Sequence, residues 1–442
     1  MIFTVKKADL LQGTVRPPAS KSYSIRAFIV GACGGTSTII HPSLGYDVRV
    51  AMNVAAALGA QIQRKKPNIF RISAFKKPLR IKRIDVRESG TVLRLLLPLL
   101  SLYEGKSLVV GEGTLQRRPN LYLIQALRRM GVDIEGRGRQ HTVPILKKEG
   151  RLHGGAIKIN GSLSSQFVSA FLIACPFLPE DTLLTITGAN IVSRTYITMT
   201  QQILKKAGIS IVQKTPRLFY IPGNQTYKGL RNFIVPSDYG LAAFFLAAAI
   251  LLRSKVFLEG YWVDDPIQAD GRILDFLRQM GARFTKTKDH ITISGPFEIS
   301  GGEFSLKDCP DLVPIMTILA LFARGKTRLY DIGHVRTKES DRIAGLSREL
   351  LKIGAKIIAK PNEMVIYPQK IYREGCLLDS HHDHRLAMSF CILGLKLAVK
   401  IKDIESTAKS YPAFVQDLKR LGGIRTFHRV SRLDNNGMSV VK

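Results

Sequence analysis

Leu58-Gly59-Ala60-Gln61-Ile62 closes an amphipathic stretch and opens an alternating one, and the same apolar-Gly-small pattern returns five more times. It stands at Met130-Gly131-Val132-Asp133-Ile134, Ala207-Gly208-Ile209-Ser210-Ile211 and Met280-Gly281-Ala282-Arg283-Phe284. It stands again at Ile353-Gly354-Ala355-Lys356-Ile357 and Leu421-Gly422-Gly423-Ile424. The glycines recur every 68 to 77 residues, a period too long for a solenoid unit and suited to a small subdomain. Glycine ends a helix cheaply in the left-handed conformation. The alternating residues behind it then start a strand.

A second series runs in phase with the first. Polar caps near Ser20-Lys21-Ser22, Ser89-Gly90-Thr91, Ser164-Ser165-Gln166, Ser237-Asp238, Pro310-Asp311 and Asp383-His384-Arg385 each precede a mostly apolar run. Helices this apolar on all sides are buried. Each repeat therefore reads as a buried helix, strands, an amphipathic helix and strands. Six repeats make an α/β protein of two domains with three repeats each. A break falls near Val235-Pro236, and the strand-like piece Ile2 to Val15 is free to complete a sheet elsewhere. The alternation does not decide between parallel and mixed sheets.

With 442 residues, 45% of them hydrophobic and 23% charged, the chain can fill two large cores. The start, Met1 to Leu10, lacks the apolar core of a secretory signal. Apolar runs such as Leu241 to Leu252 are too short to span a bilayer. Cys33, Cys175, Cys309, Cys376 and Cys391 are scattered and form no C-x-x-C pair, which fits a reducing cytoplasm and no zinc site. The net charge of +32 favours anionic partners. Its even spread along the chain speaks for a general basic bias over nucleic-acid binding.

Helix starts carry unpaired N–H groups and partial positive charge, so they bind anions. Lys21, Arg26, Arg94 and Arg385 stand at these starts beside the acids Asp238, Asp311 and Asp383. Such ends, pointing one way, would build an anion-binding cleft between two domains. Ser20, Ser89 and Ser237 fit ordinary N-caps equally well. Lys21 and Arg385 need a further reason, because a cation at a helix start opposes the dipole. Arg336 to Arg342 taken alone reads as a charged, solvated loop. His381-His382-Asp383-His384 has nearly consecutive ligands and no partner cluster, so acid–base or anion-binding work suits His384 better than a metal.

Pro18-Ala19-Ser20-Lys21-Ser22-Tyr23-Ser24-Ile25-Arg26 resembles the P-x-S-K-S-x-x-x-R signature of the 5-enolpyruvylshikimate-3-phosphate (EPSP) synthase family. Ser89 to Arg94, Arg117-Arg118-Pro119, Gly161 to Phe167, Arg336 to Arg342, Asp383 to Met388 and Thr407 to Pro412 follow in that family's order. The likeness runs from about Gly13 to Gly422. It implies the two-domain enolpyruvyl-transferase-like fold, six βαβαββ units with buried helices and an active site in the interdomain cleft. It also implies that the N-terminal strand joins the second domain, giving domains of 1–19 with 236–442 and of 20–235.

The implied reaction moves the enolpyruvyl group of phosphoenolpyruvate onto the 5-hydroxyl of shikimate 3-phosphate, in the shikimate pathway to aromatic amino acids. Carried over by position, Ser164, Ser165, Ser193 and Lys338 would hold the phosphate of shikimate 3-phosphate. Ser22 and Arg26 would hold its carboxylate and Asp311 its ring hydroxyls, with Tyr196 and Gln166 lining the ring. Lys21, Gly90, Arg118 and Lys409 would surround the phosphate of phosphoenolpyruvate, beside Gln166. Lys21 would touch both substrates. Arg342 and Arg385 would clamp the carboxylate of phosphoenolpyruvate, a task suited to the guanidinium fork. Lys21, Asp311, Glu339 and His384 are the implied catalytic groups. No metal, organic cofactor, membrane or specific nucleic acid is implied, and a cytoplasmic monomer is expected.

The chain departs from the family pattern in places. Glu88 stands where Asn is common, an expense beside an anion site unless Arg87 or another cation pairs with it. Leu95 replaces a common Pro, Ser237 to Gly240 lacks the usual Ser-Ser-Ala, and the first acidic pair is reduced to Asp47. Gly90 is retained, which implies sensitivity to the inhibitor glyphosate. Two other readings compete: enolpyruvyl transfer to another acceptor such as a UDP-sugar, and an RNA-end-modifying or nucleic-acid-binding protein of related repeat fold.

Overall fold

In a computed structural model, which describes residues 2–74, 81–265 and 267–424, all six repeat glycines have positive φ, between 84° and 100°. The strand expected behind Gly422-Gly423-Ile424 lies outside the described residues. The second repeat shows the common plan. Strand Arg83–Asp85 leads into helix Gly90–Leu100 and then strand Ser107–Val110, which lies parallel to the first. Helix Leu121–Arg129 and the strands Asp133–Arg137 and Thr142–Glu149 follow, both antiparallel to their neighbours. A parallel pair needs a crossover, which the buried helix supplies; the antiparallel pair needs only a turn. The sheets are therefore mixed.

The third and fifth repeats follow the same order within themselves. The other three borrow a strand from elsewhere in the chain. Phe233–Ile234 lies parallel to Thr36–Ile40 and completes the first repeat. Leu11–Val15 lies parallel to Ser254–Glu259 in the fourth. Ile2–Val5 pairs antiparallel with Val399–Lys402 in the sixth. The N-terminal piece is thus two strands in two sheets.

The chain divides into two compact units. One, here the inserted unit, is Ala19–Pro236 with Asp265–Gln268; the other, the split unit, is Met1–Pro18, Ser237–Asp264 and Ala269–Lys442. The short return Asp265–Gln268 has no counterpart in the sequence-based boundaries. Side chains of the inserted unit hold it: Tyr23 Oη donates to the Ile267 carbonyl at 2.8 Å, and Gln202 Oε1 accepts from Ile267 N at 3.0 Å.

The buried helices are α1 (Lys21–Cys33), α2 (Gly90–Leu100), α3 (Ser165–Ala174), α4 (Tyr239–Leu251), α5 (Val313–Leu321) and α6 (His384–Leu397). Every residue of α4 and α5 is buried. In the split unit α4, α5 and α6 pack on one another; in the inserted unit α2 packs on α1 and α3. Ser20, Ser89, Ser164, Asp238 and Asp383 cap their helices, each accepting a backbone N–H of the first turn. Among the described residues no helix is long and apolar enough to cross a membrane.

Gly354 has φ +84° and open space where a Cβ would stand. Substitution there tests backbone strain alone, which is about 1–2 kcal/mol for an L side chain. Gly354→Ala should lower the stability measured by urea unfolding by that amount, and Gly354→Asn by less, since Asn tolerates this conformation. Equal losses in both would contradict this origin for the repeat glycine.

Candidate active site

In the inserted unit, Lys21 opens α1 and its Nζ lies 3.1 Å from Asp47 Oδ2. Asp47 sits in the first turn of helix Tyr46–Ala57, where the dipole favours a carboxylate. This pair supplies the reason that a cation at a helix start requires. Arg26, further along α1, is 1% exposed. Its Nε donates to Thr200 Oγ1 at 2.8 Å, Nη1 to the Ser22 carbonyl at 3.1 Å and Nη2 to the Tyr196 carbonyl at 3.4 Å. Among the described residues no carboxylate pairs with it, and burial pushes its guanidinium down to about 10. A buried cation held by neutral oxygens gains from any anion brought beside it.

The starts of α2 and α3 are tied together. Arg94 Nη1 donates to Gln166 Oε1 at 2.7 Å and to Ser164 Oγ at 3.5 Å, and Gln166 Nε2 donates to Thr91 Oγ1 at 2.8 Å. The Arg94 guanidinium lies 5.1 Å from the Phe167 ring centroid, a favourable cation–π placement. Gly90 lies against Arg118: a Cβ there would stand 2.8 Å from Arg118 Nη1. Ser165 is buried, and Ser193 is buried with φ +54° just ahead of Tyr196.

In the split unit, Arg342 is 1% exposed and donates to three carboxylates. Nη1 meets Asp311 Oδ1 at 2.8 Å, Nη2 meets Glu339 Oε2 at 3.1 Å and Nε meets Asp383 Oδ2 at 2.8 Å. Arg385 Nη2 donates to the other Asp311 oxygen at 3.1 Å, and its Nη1 to the Gly240 carbonyl. Asp311, Glu339, Arg342 and Arg385 therefore form one hydrogen-bonded group. His384, buried, is the first residue of α6 beside Arg385. Lys409 Nζ donates to the His382 carbonyl at 3.0 Å. Lys338 closes the 3₁₀ turn Gly333–Thr337, next to Glu339.

Three details differ from the sequence expectations. Asp311 is not the cap of α5: it sits inside the 3₁₀ turn Pro310–Leu312, and among the described residues no side chain caps that helix. Its carboxylate is turned to the two arginines instead. Ser237 is not the cap of α4, which is Asp238; its Oγ accepts from Tyr261 N at 2.9 Å. Arg87 does not serve Glu88, for it pairs with Asp85 and Glu112. Glu88 Oε2 accepts from Thr114 N at 3.1 Å and Thr114 Oγ1 at 3.2 Å. Those bonds tie the carboxylate to the 3₁₀ turn Gly113–Arg117, which leads into Arg118.

Two buried groups of this region were not singled out in the sequence. His334 lies in the turn Gly333–Thr337, and burial, with Lys338 and Arg342 nearby, pushes its imidazole down to about 3. Asp270 follows the return segment, in the 3₁₀ turn Ala269–Arg272. Burial, then the charge of Asp311, pushes its carboxyl up to about 7. The sequence signal was slight, since Ala269-Asp270-Gly271 reads as a turn.

A family model described as EPSP synthase (3-phosphoshikimate 1-carboxyvinyltransferase) matches residues 5–418. The chain belongs to the EPSP synthase family. It is 37% identical over 429 residues to the 3-phosphoshikimate 1-carboxyvinyltransferase of Methanocaldococcus jannaschii, covering 95% of this chain and 98% of that one. The enzyme of that name from Archaeoglobus fulgidus is 34% identical, over 95% and 98% of the two chains. Among solved structures, EPSP synthase from Acinetobacter baumannii superposes with a TM-score of 0.77 at 25% identity, over 96% of this chain and 98% of that one. The enolpyruvyl transferase NikO from Streptomyces tendae shares the fold, with a TM-score of 0.77 at 18% identity over 95% and 97% of the chains.

Because the carboxyl of Asp270 is raised to about 7 in the folded protein, against about 3.9 in an unfolded chain, the native state binds this proton more tightly. Its contribution to stability therefore declines as pH rises from about 4 through 7. Asp270→Asn keeps the shape and removes that decline. The variant should melt above the parent at pH 8, with the gap narrowing towards pH 5. A variant melting lower by the same amount at both pH values would contradict this charge assignment.

Proposed function

We propose that this protein transfers the enolpyruvyl group of phosphoenolpyruvate to the 5-hydroxyl of shikimate 3-phosphate and releases phosphate, the shikimate-pathway step leading towards aromatic amino acids. Family membership over nearly the whole chain carries this reading. The side chains give it a chemical route. Arg26, a buried guanidinium with neutral oxygen partners, takes the carboxylate of shikimate 3-phosphate together with Ser22. Ser164, Ser165, Ser193 and Lys338 take its phosphate, Tyr196 and Gln166 line its ring, and Asp311 receives its hydroxyls. Lys21, Gly90, Arg118, Gln166 and Lys409 surround the phosphate of phosphoenolpyruvate. Arg342 and Arg385 take its carboxylate.

The 5-oxygen attacks C2 of phosphoenolpyruvate as a base accepts its proton, and C3 gains a proton. The resulting tetrahedral ketal then expels phosphate from C2 while C3 loses a proton. Asp311 and Glu339 are supported as the two proton carriers because both hydrogen-bond to the Arg342 guanidinium, which holds two carboxylates at fixed positions. Lys21 stabilises the leaving oxygen, and His384 supports proton transfer. Fixed cations around moving negative charge supply much of the rate. A cytoplasmic enzyme agrees with five free cysteines.

Phosphate release should require both substrates, yield an enolpyruvyl product and vanish in Lys21→Ala, with no product from UDP-N-acetylglucosamine. A folded protein without product would overturn the reading. Gly90→Ala should displace the Arg118 guanidinium and raise KM for phosphoenolpyruvate about 10-fold, roughly the 1.4 kcal/mol of one weakened charge-assisted hydrogen bond. KM for shikimate 3-phosphate should barely move. A rise in the latter alone would contradict the placement of Arg118.

A further inference from the structure

Asp270 is 7% exposed, and its Oδ1 has no hydrogen-bond partner among the described residues. Its Oδ2 lies over Gly240: a Cβ on that glycine would stand 2.5 Å from Asp270 Oδ2 and 3.0 Å from Arg385 Nη1. Only glycine at 240 lets the carboxyl and the guanidinium approach the same point. Arg385 nevertheless gives its charge-assisted bond to Asp311, and its Nε has no acceptor among the described residues. Asp270 is thus a buried carboxyl beside an arginine already paired with another acid. A bare anionic oxygen in that position is costly, and a proton on it removes the cost.

We propose that Asp270 takes up one proton when the carboxylate of the enolpyruvyl donor binds at Arg385, and so acts as a positioning residue through that arginine. This rests on the reading that Arg385 receives the donor's carboxylate. The groups facing Asp270 are Asp311 from the turn before α5, Arg385 from α6, Asp238 at the cap of α4 and Lys338 beyond the turn Gly333–Thr337. The buried thiol of Cys309 and the ring of Tyr239 also face its turn. Burial, Asp311 and Asp238 raise its carboxyl; Arg385 and Lys338 lower it, and the net places it at about 7. A further anion at Arg385 offsets the cation that lowers it and drives it upward, so binding and protonation favour each other.

The sign follows. Below pH 7 Asp270 already carries its proton and adds no pH dependence to donor binding. Above pH 7 a proton must be taken up with the donor, so binding weakens by up to about tenfold per pH unit until the raised value of the complex is reached. The donor's phosphate is fully ionised over that range, its second ionisation lying near 6.

KM for phosphoenolpyruvate, measured at saturating shikimate 3-phosphate from pH 7 to 9, should rise severalfold. Asp270→Asn, which cannot take up the proton, should abolish that rise. Superimposable profiles in wild type and variant would overturn the proposal while leaving the transferase reading intact. An inactive wild type would overturn the transferase reading and the proposal with it. If the variant does not fold, calorimetric titration of the wild type with phosphoenolpyruvate alone, in buffers of differing ionisation heat at pH 7.5, decides. Net uptake approaching one proton supports the role of Asp270, and zero uptake overturns it.

Discussion

The guanidinium of Arg342, buried and bonded to Asp311, Glu339 and Asp383, is the interaction on which the split unit depends. Its three carboxylates come from the turn before α5, the loop before helix Arg342–Leu351 and the cap of α6. Removing one partner from such a buried group typically costs about 3–5 kcal/mol, because the remaining charge is left uncompensated. The group therefore fixes the mutual position of three chain segments. It also holds the two proposed proton carriers within reach of one planar cation. On the proposed mechanism, stability and chemistry use the same atoms. Asp383 does both tasks, capping α6 and pairing with Arg342, whereas the two oxygens of Asp311 bridge Arg342 and Arg385.

The repeat supplies the rest by simple means. Each buried helix follows a short strand, and five of the six start with a capping Ser or Asp, so the repeats deliver helix N-termini with donor groups. The side chains added there differ between units. In the inserted unit they are Lys21, Arg26, Gly90 and the Ser164-Ser165-Gln166 run, which carry hydroxyl, amide and cationic donors. In the split unit acids and arginines are mixed and pair with one another. A donor-rich set suits a phosphorylated sugar-like ring. A mixed set suits a reaction in which protons must be given and taken back. Asp270 extends that logic, since the excess of carboxyls around two arginines can absorb an incoming anion by binding a proton.

Much of this was legible in the sequence where the signal is local. A glycine with positive φ after an apolar residue ends a helix wherever it occurs, so six copies disclosed six repeats. Ser20, Ser89, Ser164 and Asp383 announced helix starts by the same short-range chemistry. Pairing across the chain was not legible. The alternation in Ile2–Val5 and Leu11–Val15 marks strands but not that they join different sheets. Nothing local distinguishes Asp265–Gln268 as a return to the other unit. Asp270 and His334 escaped notice because their properties come from burial and from charges distant in sequence. Glu88 looked costly beside an anion site, and only the fold brings Thr114 to it. The resemblance supplied the candidate site residues, and the coordinates added which of them touch.

The addition–elimination route makes one demand that no direct displacement shares: C3 of the donor becomes a methyl group and returns to a methylene. The most direct measurement is mass spectrometry of the product formed from shikimate 3-phosphate and phosphoenolpyruvate in deuterium oxide. Addition followed by elimination places deuterium at the methylene of the product, with Glu339→Gln slowing labelling and product formation together. Product formed at the normal rate with no deuterium at that carbon would contradict it.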